Sequence, residues 1–220
     1  MFFDGVRDNS LAQLTAPRPF GRWMKDRLAF PWLALASSDR AIAAGLTPLD
    51  LERFRVVLPW VRGRLLDIGC GDNLLVEAYG SGIGADIVDW GRVDVILSGD
   101  GSLPFDDGSF DTVTIVAALN HIAPRERLLA ECRRVLSDDG RIIVTMLTPW
   151  VSRITHRVRH DIDPDQTHRH QEDGEVWGLT PRAMQSLLAR AGFQLVRTEP
   201  FVWNLNRLYV AGVSTAAASD

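Results

Sequence analysis

Three aspartates end three successive apolar segments, and their spacing sets what the chain could bind. Asp67 sits in Leu65-Leu66-Asp67-Ile68 just before Gly69-Cys70-Gly71-Asp72-Asn73, Asp86 ends Gly82-Ile83-Gly84-Ala85-Asp86, and Asp100 ends Val93-Asp94-Val95-Ile96-Leu97-Ser98-Gly99-Asp100. In a sheet of parallel strands, ligands sit at the carboxyl ends, where a glycine lets backbone approach a ligand that a Cβ would push away. Gly69 and Gly71 supply that approach, and Asn73 is one of the few other residue types that tolerates a left-handed backbone. The turn reads as a nucleotide-handling loop. It departs from the dinucleotide pattern Gly-x-Gly-x-x-Gly, because Leu74 holds the last position. A carboxylate at Asp67 would repel a pyrophosphate but suits an ammonium group. Asp86 follows 19 positions after Asp67, the distance at which an acid partners ribose hydroxyls.

Around these acids, LLDIGCGDN, GIGADIV, SGDGSLPFDDGSFDTV, Leu119-Asn120-His121-Ile122 and RERLLAECRRVLSDDGRIIVT follow one another over residues 63–146, and AGFQLV occupies 191–196. In that order and spacing the chain resembles the class I S-adenosylmethionine-dependent methyltransferases. The resemblance implies S-adenosyl-L-methionine as cofactor. It implies that Gly69, Cys70, Gly71 and Asn73 surround the methionine part and that Asp67 holds its ammonium, directly or through water. It further implies that Asp86 binds the ribose, Ile87 flanks the adenine, and Asp100, with Gly101 and Ser102 beside it, meets the adenine amino group. Two departures stand out. Asn73 replaces the family's usual last glycine, and only 14 positions separate Asp86 from Asp100, too few for a helical crossover. Asp89-Trp90-Gly91-Arg92 is therefore expected as a short loop on a thinner face of the sheet, with Trp90 covering the adenine side.

His121 is the candidate for chemistry. It follows the fourth strand, and an imidazole takes a proton from an oxygen or nitrogen nucleophile near neutral pH; a purely positioning role is the alternative. Asn120 beside it could orient a substrate. Trp150 and Trp177 lie in loops near the same edge. Further on, Asp161, Asp163, Asp165 and Glu172 imitate the acid spacing of a calcium loop, but Gln166 stands where that loop needs glycine. His156 and His160 have metal-pair spacing, with His168 and His170 nearby, yet the arginines among them disfavour a cation. No metal is expected. The segment reads as a substrate-facing lid, with a solvated surface loop as the bland alternative.

The elements that must position these residues follow from hydrophobic period and breakers. With 220 residues and 46% hydrophobic content, the chain can build one sizeable core. Residues 1–60 read as a helical N-terminal extension or cap over the ligand mouth or the sheet edge. Its helices are Phe20 to Ala36, interrupted by Pro31, and Pro48 to Val57. Residues 61–213 form the core, with a polar insertion at 148–178, and 214–220 a flexible tail. Strands are expected at 65–68, 82–88, 93–100, 112–118, 141–147, 193–198 and 205–213, and helices over 124–136, closed by Asp139-Gly140, and from Thr180-Pro181 to Ala191-Gly192. The class is α/β: a doubly wound, Rossmann-like mixed sheet whose last strand is antiparallel.

A net charge of −4 gives no global basic field for nucleic acid or an anionic membrane, and no run approaches the roughly 20 apolar residues of a membrane span. Cys70 and Cys132 are not expected to pair, and no signal segment is read at the start, so a cytoplasmic protein is expected. The function expected is methyl transfer to oxygen or nitrogen of a small metabolite. An RNA methyltransferase and a non-catalytic binding protein retaining the fold are the alternatives; the oligomeric state stays open.

Overall fold

Segments that are apolar on both faces belong in the middle of a parallel sheet covered on each side. The computed structural model describes residues 10–12, 14, 16–33, 38–149 and 178–214, and its strands pair in that manner. β1 (Leu65–Ile68), buried at every position, lies parallel between β2 (Ile83–Asp86) and β4 (Phe110–Val116). β3 (Val95–Ile96) pairs parallel beyond β2, and β5 (Leu136–Leu147) parallel beyond β4. β6 (Phe193–Phe201) occupies the far edge, and β7 (Asn206–Val213) runs antiparallel between β5 and β6, giving the order β3-β2-β1-β4-β5-β7-β6. The mixed sheet and its antiparallel last strand agree with the expectation.

The helices that matter here are α1 (Phe20–Leu33), α2 (Ser38–Ala43), α3 (Leu49–Val57), α4 (Leu74–Tyr79), α5 (Arg125–Val135) and α6 (Pro181–Arg190). Side chains alternate across a strand, and this sorts the core into two layers. Ile142, Val144, Tyr209 and Ala211 pack with Leu128, Leu129 and Cys132 of α5 and Met184, Leu187 and Leu188 of α6. Ile143, Leu208 and Val210 face the other way, onto Val57 of α3 and Leu75 of α4. Thr180 starts α6 by accepting a hydrogen bond from Ala183 N at 3.2 Å, with Pro181 in the first helical position.

Several boundaries differ from the sequence reading. α1 continues past Pro31 to Leu33 instead of breaking there; a proline in the last turn removes a single backbone donor. α5 passes at Val135 directly into β5, so Asp139-Gly140 lies inside the strand rather than closing the helix. The register explains this: Leu136 pairs with Phe110 and Arg141 with Thr112, so the intervening residues bulge from the ladder. Gly140 packs so tightly there that a Cβ would stand 2.8 Å from Ser137 O. The β6–β7 connection is also shorter than expected, because Pro200 pairs with Arg207 and the turn is made by Val202, Trp203 and Asn204, all with positive φ. The loop between β2 and β3 contains no helix, as the 14-position gap requires. Most of the 148–178 segment, with Trp150, His156, His160, His168, His170 and Trp177, lies outside the described residues.

Candidate active site

The carboxyl ends of β1, β2 and β4 meet at a pair of cavities. At the end of β1 the chain turns through Gly69 at φ 73 and Gly71 at φ 53, both left-handed. Gly69 N and Cys70 N donate to Ala85 O at 2.8 and 3.3 Å, which ties the turn to β2. At the end of β4, Ala117 adopts φ 55, a conformation uncommon outside glycine, and brings Ala118 against Gly69. A Cβ at Gly69 would stand 2.6 Å from that of Ala118, so only glycine keeps the space open.

Asn73, also left-handed at φ 61, precedes α4. Its amide donates to Arg92 O at 3.0 Å and Asp94 Oδ2 at 2.8 Å. The departure from glycine thus replaces an open turn with a tether to the short loop before β3. Asn73 lines neither cavity.

The larger cavity, about 220 Å³, is bounded by Asp67, Gly69, Cys70, Gly71 and Asp72 of the turn, by Val116, Ala117 and Ala118 after β4, and by Asp86 and Trp90. Asp50, Arg53 and Phe54 of α3, with Leu74 of α4, form its outer wall. The smaller, about 70 Å³, is walled by Ile68, Ile87, Leu97, Ile122, Pro124 and Leu128, together with Gly99, Gly101 and Ser102. Gly69, Asp86, Ala118 and His121 line both. One space is therefore apolar and narrow, the other carries several carboxylates, and a carboxylate and an imidazole stand where they join.

Asp67 is buried, and its Oδ1 accepts from Thr114 Oγ1 at 2.6 Å. Burial pushes its pKa up to about 7, against the lowering effect of the Thr114 hydrogen bond, with the charge of Asp86 adding to the rise. Asp86, equally buried, accepts from Gly71 N at 3.1 Å and from Val88 N at 3.2 Å, so the same side chain shapes the glycine turn and faces the junction. Burial raises the Cys70 thiol, keeping it neutral and poorly nucleophilic.

Of the residues singled out from sequence, Asp67, Gly69, Cys70, Gly71, Asp86, Ile87, Gly101, Ser102 and His121 come together on these walls. Asp100 and Asn120 do not. Asp100 is engaged by its own turn: Oδ1 accepts from Ser98 Oγ and Ser102 Oγ, each at 2.6 Å, and Oδ2 pairs with Arg127 at 3.1 Å. Those bonds hold its carboxyl well below the usual range. Asn120 is buried in the short 3-10 turn Leu119–His121 and lines neither space. Trp90 lines the larger, polar cavity instead of the Ile87 side where adenine cover was expected. Asp50, Arg53 and Phe54 were missed, although their i, i+3, i+4 spacing places them on one helix face.

Residues 66–144 match the methyltransferase domain family. Over 126 residues the chain is 36% identical to a demethylmenaquinone methyltransferase of Thermotoga maritima, which covers 50% of this chain and 53% of the relative. Over 54 residues it is 41% identical to a ubiquinone/menaquinone biosynthesis C-methyltransferase of Citrifermentans bemidjiense, 24% of this chain and 23% of that one. In the first of these matches the chain spans about half the length of its curated relative, and in the second about a quarter. The fold is similar to that of a solved S-adenosylmethionine-dependent methyltransferase from Thermotoga maritima, with TM-score 0.60 and 18% identity over 75% of this chain and 89% of that one.

Proposed function

We propose that this chain, whose residues 66–144 match a methyltransferase domain family, is a class I S-adenosylmethionine-dependent methyltransferase that transfers a methyl group to a small-molecule acceptor. The observation that carries this reading is the pair of joined cavities with Asp86 and His121 at the junction. The residues present fit the cofactor. The narrow space between Ile87, Leu97 and Leu128 suits a flat purine, and Gly69 keeps open a backbone approach that a Cβ would fill. Asp86 would accept from the ribose hydroxyls, Asp67 from the ammonium, and Gly101 and Ser102 would border the base. When bound, S-adenosylmethionine supplies an electrophilic methyl carbon on a sulfonium.

The chain's own work is then to orient and to exclude water. Phe54, Trp90, Val116 and Leu74 give the larger cavity apolar wall beside its carboxylates, which suits an acceptor with a flat or apolar body. His121 would hold the acceptor group or take its proton, as a nucleophilic oxygen or nitrogen requires. A carbon acceptor is the second reading, favoured by the C-methyltransferase activity named for one relative. Among the described residues no helix is long and apolar enough to cross a membrane. The reading includes a cytoplasmic location, supported by two buried free cysteines, and excludes nucleic acid as the acceptor on the acidic charge balance.

The test is titration calorimetry with S-adenosylhomocysteine, followed by transfer of a labelled methyl group to a panel of phenols, amines and quinols. Cofactor-product binding with label reaching at least one small acceptor is the expected result. No binding of the cofactor product would favour the non-catalytic alternative.

A further inference from the structure

The larger cavity holds four carboxylates, Asp50, Asp67, Asp72 and Asp86, and a single guanidinium, Arg53, which none of the roles above uses. We propose that Arg53 anchors the carboxylate of the cofactor's amino-acid end, held in place by Asp50 and Asn206. This rests on the cofactor reading above.

An α-amino acid presents opposite charges close together, so its pocket must offer both signs. Asp67 offers the negative one. A carboxylate entering the same chamber meets repulsion from the wall's carboxylates, and the guanidinium is the one positively charged side chain among the described residues of the wall. The geometry supports this assignment. The Arg53 side chain is only 12% exposed. Its Nη1 donates to Asp50 Oδ1 at 2.8 Å and its Nε to Asn206 Oδ1 at 3.4 Å. Nη2 makes no hydrogen bond among the described residues. The guanidinium is thus fixed on two sides with one amino group left over, and a planar fork is the donor best matched to a carboxylate.

Asn206 is fully buried where β7 pairs with Leu147 at the carboxyl end of β5, and its Nδ2 has no partner among the described residues. A buried amide left half satisfied is hard to explain by packing alone. Its service is orientation, holding Arg53 from behind while Asp50 holds it from the side.

Calorimetry with two ligands separates this role from a structural one. S-adenosylhomocysteine carries the carboxylate; 5′-methylthioadenosine keeps the adenosine and sulfur but lacks the amino-acid end. Arg53→Met is expected to weaken S-adenosylhomocysteine at least tenfold while changing 5′-methylthioadenosine less than twofold, which also certifies the fold. Arg53→Lys keeps the charge and loses the fork, so it is expected to fall between wild type and Arg53→Met for the first ligand only. Equal losses for both ligands would make Arg53 a structural residue and overturn the proposal. So would an unchanged S-adenosylhomocysteine affinity accompanied by a raised KM for the acceptor, which would assign the guanidinium to the acceptor. Wild-type protein that binds neither ligand would refute the cofactor reading itself.

Discussion

If Asp67 receives the cofactor's ammonium, the affinity for S-adenosylhomocysteine must follow the ionisation of that carboxyl. Burial holds the Asp67 pKa at about 7 in the unliganded fold, and an ammonium needs the ionised form. Between pH 5 and pH 7 the ionised fraction climbs from about one in a hundred to about one half. Affinity should therefore rise about fiftyfold over that range, ~2.3 kcal/mol. Above it the profile flattens, and it turns down only where the ligand's own α-amino group loses its proton in the alkaline range.

Calorimetry at half-unit steps measures the profile, and buffers of different ionisation enthalpy report the proton released on binding near pH 6. The control is Asp67→Asn, whose amide oxygen can still accept from Thr114 Oγ1 but cannot titrate. Its affinity should be low and flat across the acid range. A flat wild-type profile between pH 5 and pH 7 would refute the reasoning, because either the carboxyl is ionised throughout or the ammonium binds elsewhere. A rise of the same size in Asp67→Asn would remove Asp67 as the titrating group.

The same carboxyl bears on stability. Its folded pKa lies above the unfolded value of 3.8, so the folded state holds a proton that the unfolded chain releases, and unliganded stability falls as pH rises from about 4 to about 7. The gap corresponds to on the order of 4 kcal/mol at most. Asp67→Asn should accordingly raise the Tm of the unliganded protein at pH 8 and leave it unchanged near pH 4; a lower Tm at pH 8 would contradict this. Gly69→Ala should cost about 1–2 kcal/mol from the left-handed backbone alone and weaken the cofactor product at least about tenfold, since the Cβ meets Ala118 where the cavities join; calorimetry at unchanged affinity would refute it. Asn73→Gly keeps the left-handed turn but loses the bonds to Arg92 O and Asp94 Oδ2, so it should lower stability by about 1–3 kcal/mol, a Tm drop of a few degrees, with Asn73→Ala worse. His121→Ala should lower turnover by about a hundredfold or more if the imidazole takes a proton, with cofactor affinity changed far less; full activity across pH would leave it a positioning residue.

What could be read from the chain is what neighbouring residues determine together. Asp67, Gly69, Gly71 and Asp86 come within a short stretch, and a strand, a tight turn and a second strand leave little freedom in how those four meet. The missing helix between β2 and β3 was legible for the same reason, because a length limit needs no knowledge of packing. Asp100 depends on more than its place at a strand end: Ser98 and Ser102 sit close enough to engage its carboxylate, and the group lies off the walls of both cavities. Gly140 misled, since a glycine after a helical run reads as a stop signal whether the chain then turns or bulges inside a strand. Arg53 and Phe54 could not be found at all without the fold. Their spacing marks a shared helix face, but that this face meets the sheet edge depends on Val57 docking on Ile143 and Val210 far along the chain.

The family match covers one side of the site and leaves out its outer wall. The matched region, 66–144, contains the apolar slot with Asp67 and Asp86, to which the proposal gives the cofactor, and His121, to which it gives the acceptor. The outer wall of the larger cavity comes from Asp50, Arg53 and Phe54, which precede that region, and from Trp90 on the short β2–β3 loop. An acceptor reaching the junction must pass these residues. If the acceptor enters through this wall, exchanging Phe54 or Trp90 for alanine should shift the acceptor panel while cofactor affinity holds. A loss of cofactor-product binding equal to the loss of turnover would show instead that α3 serves the core domain alone.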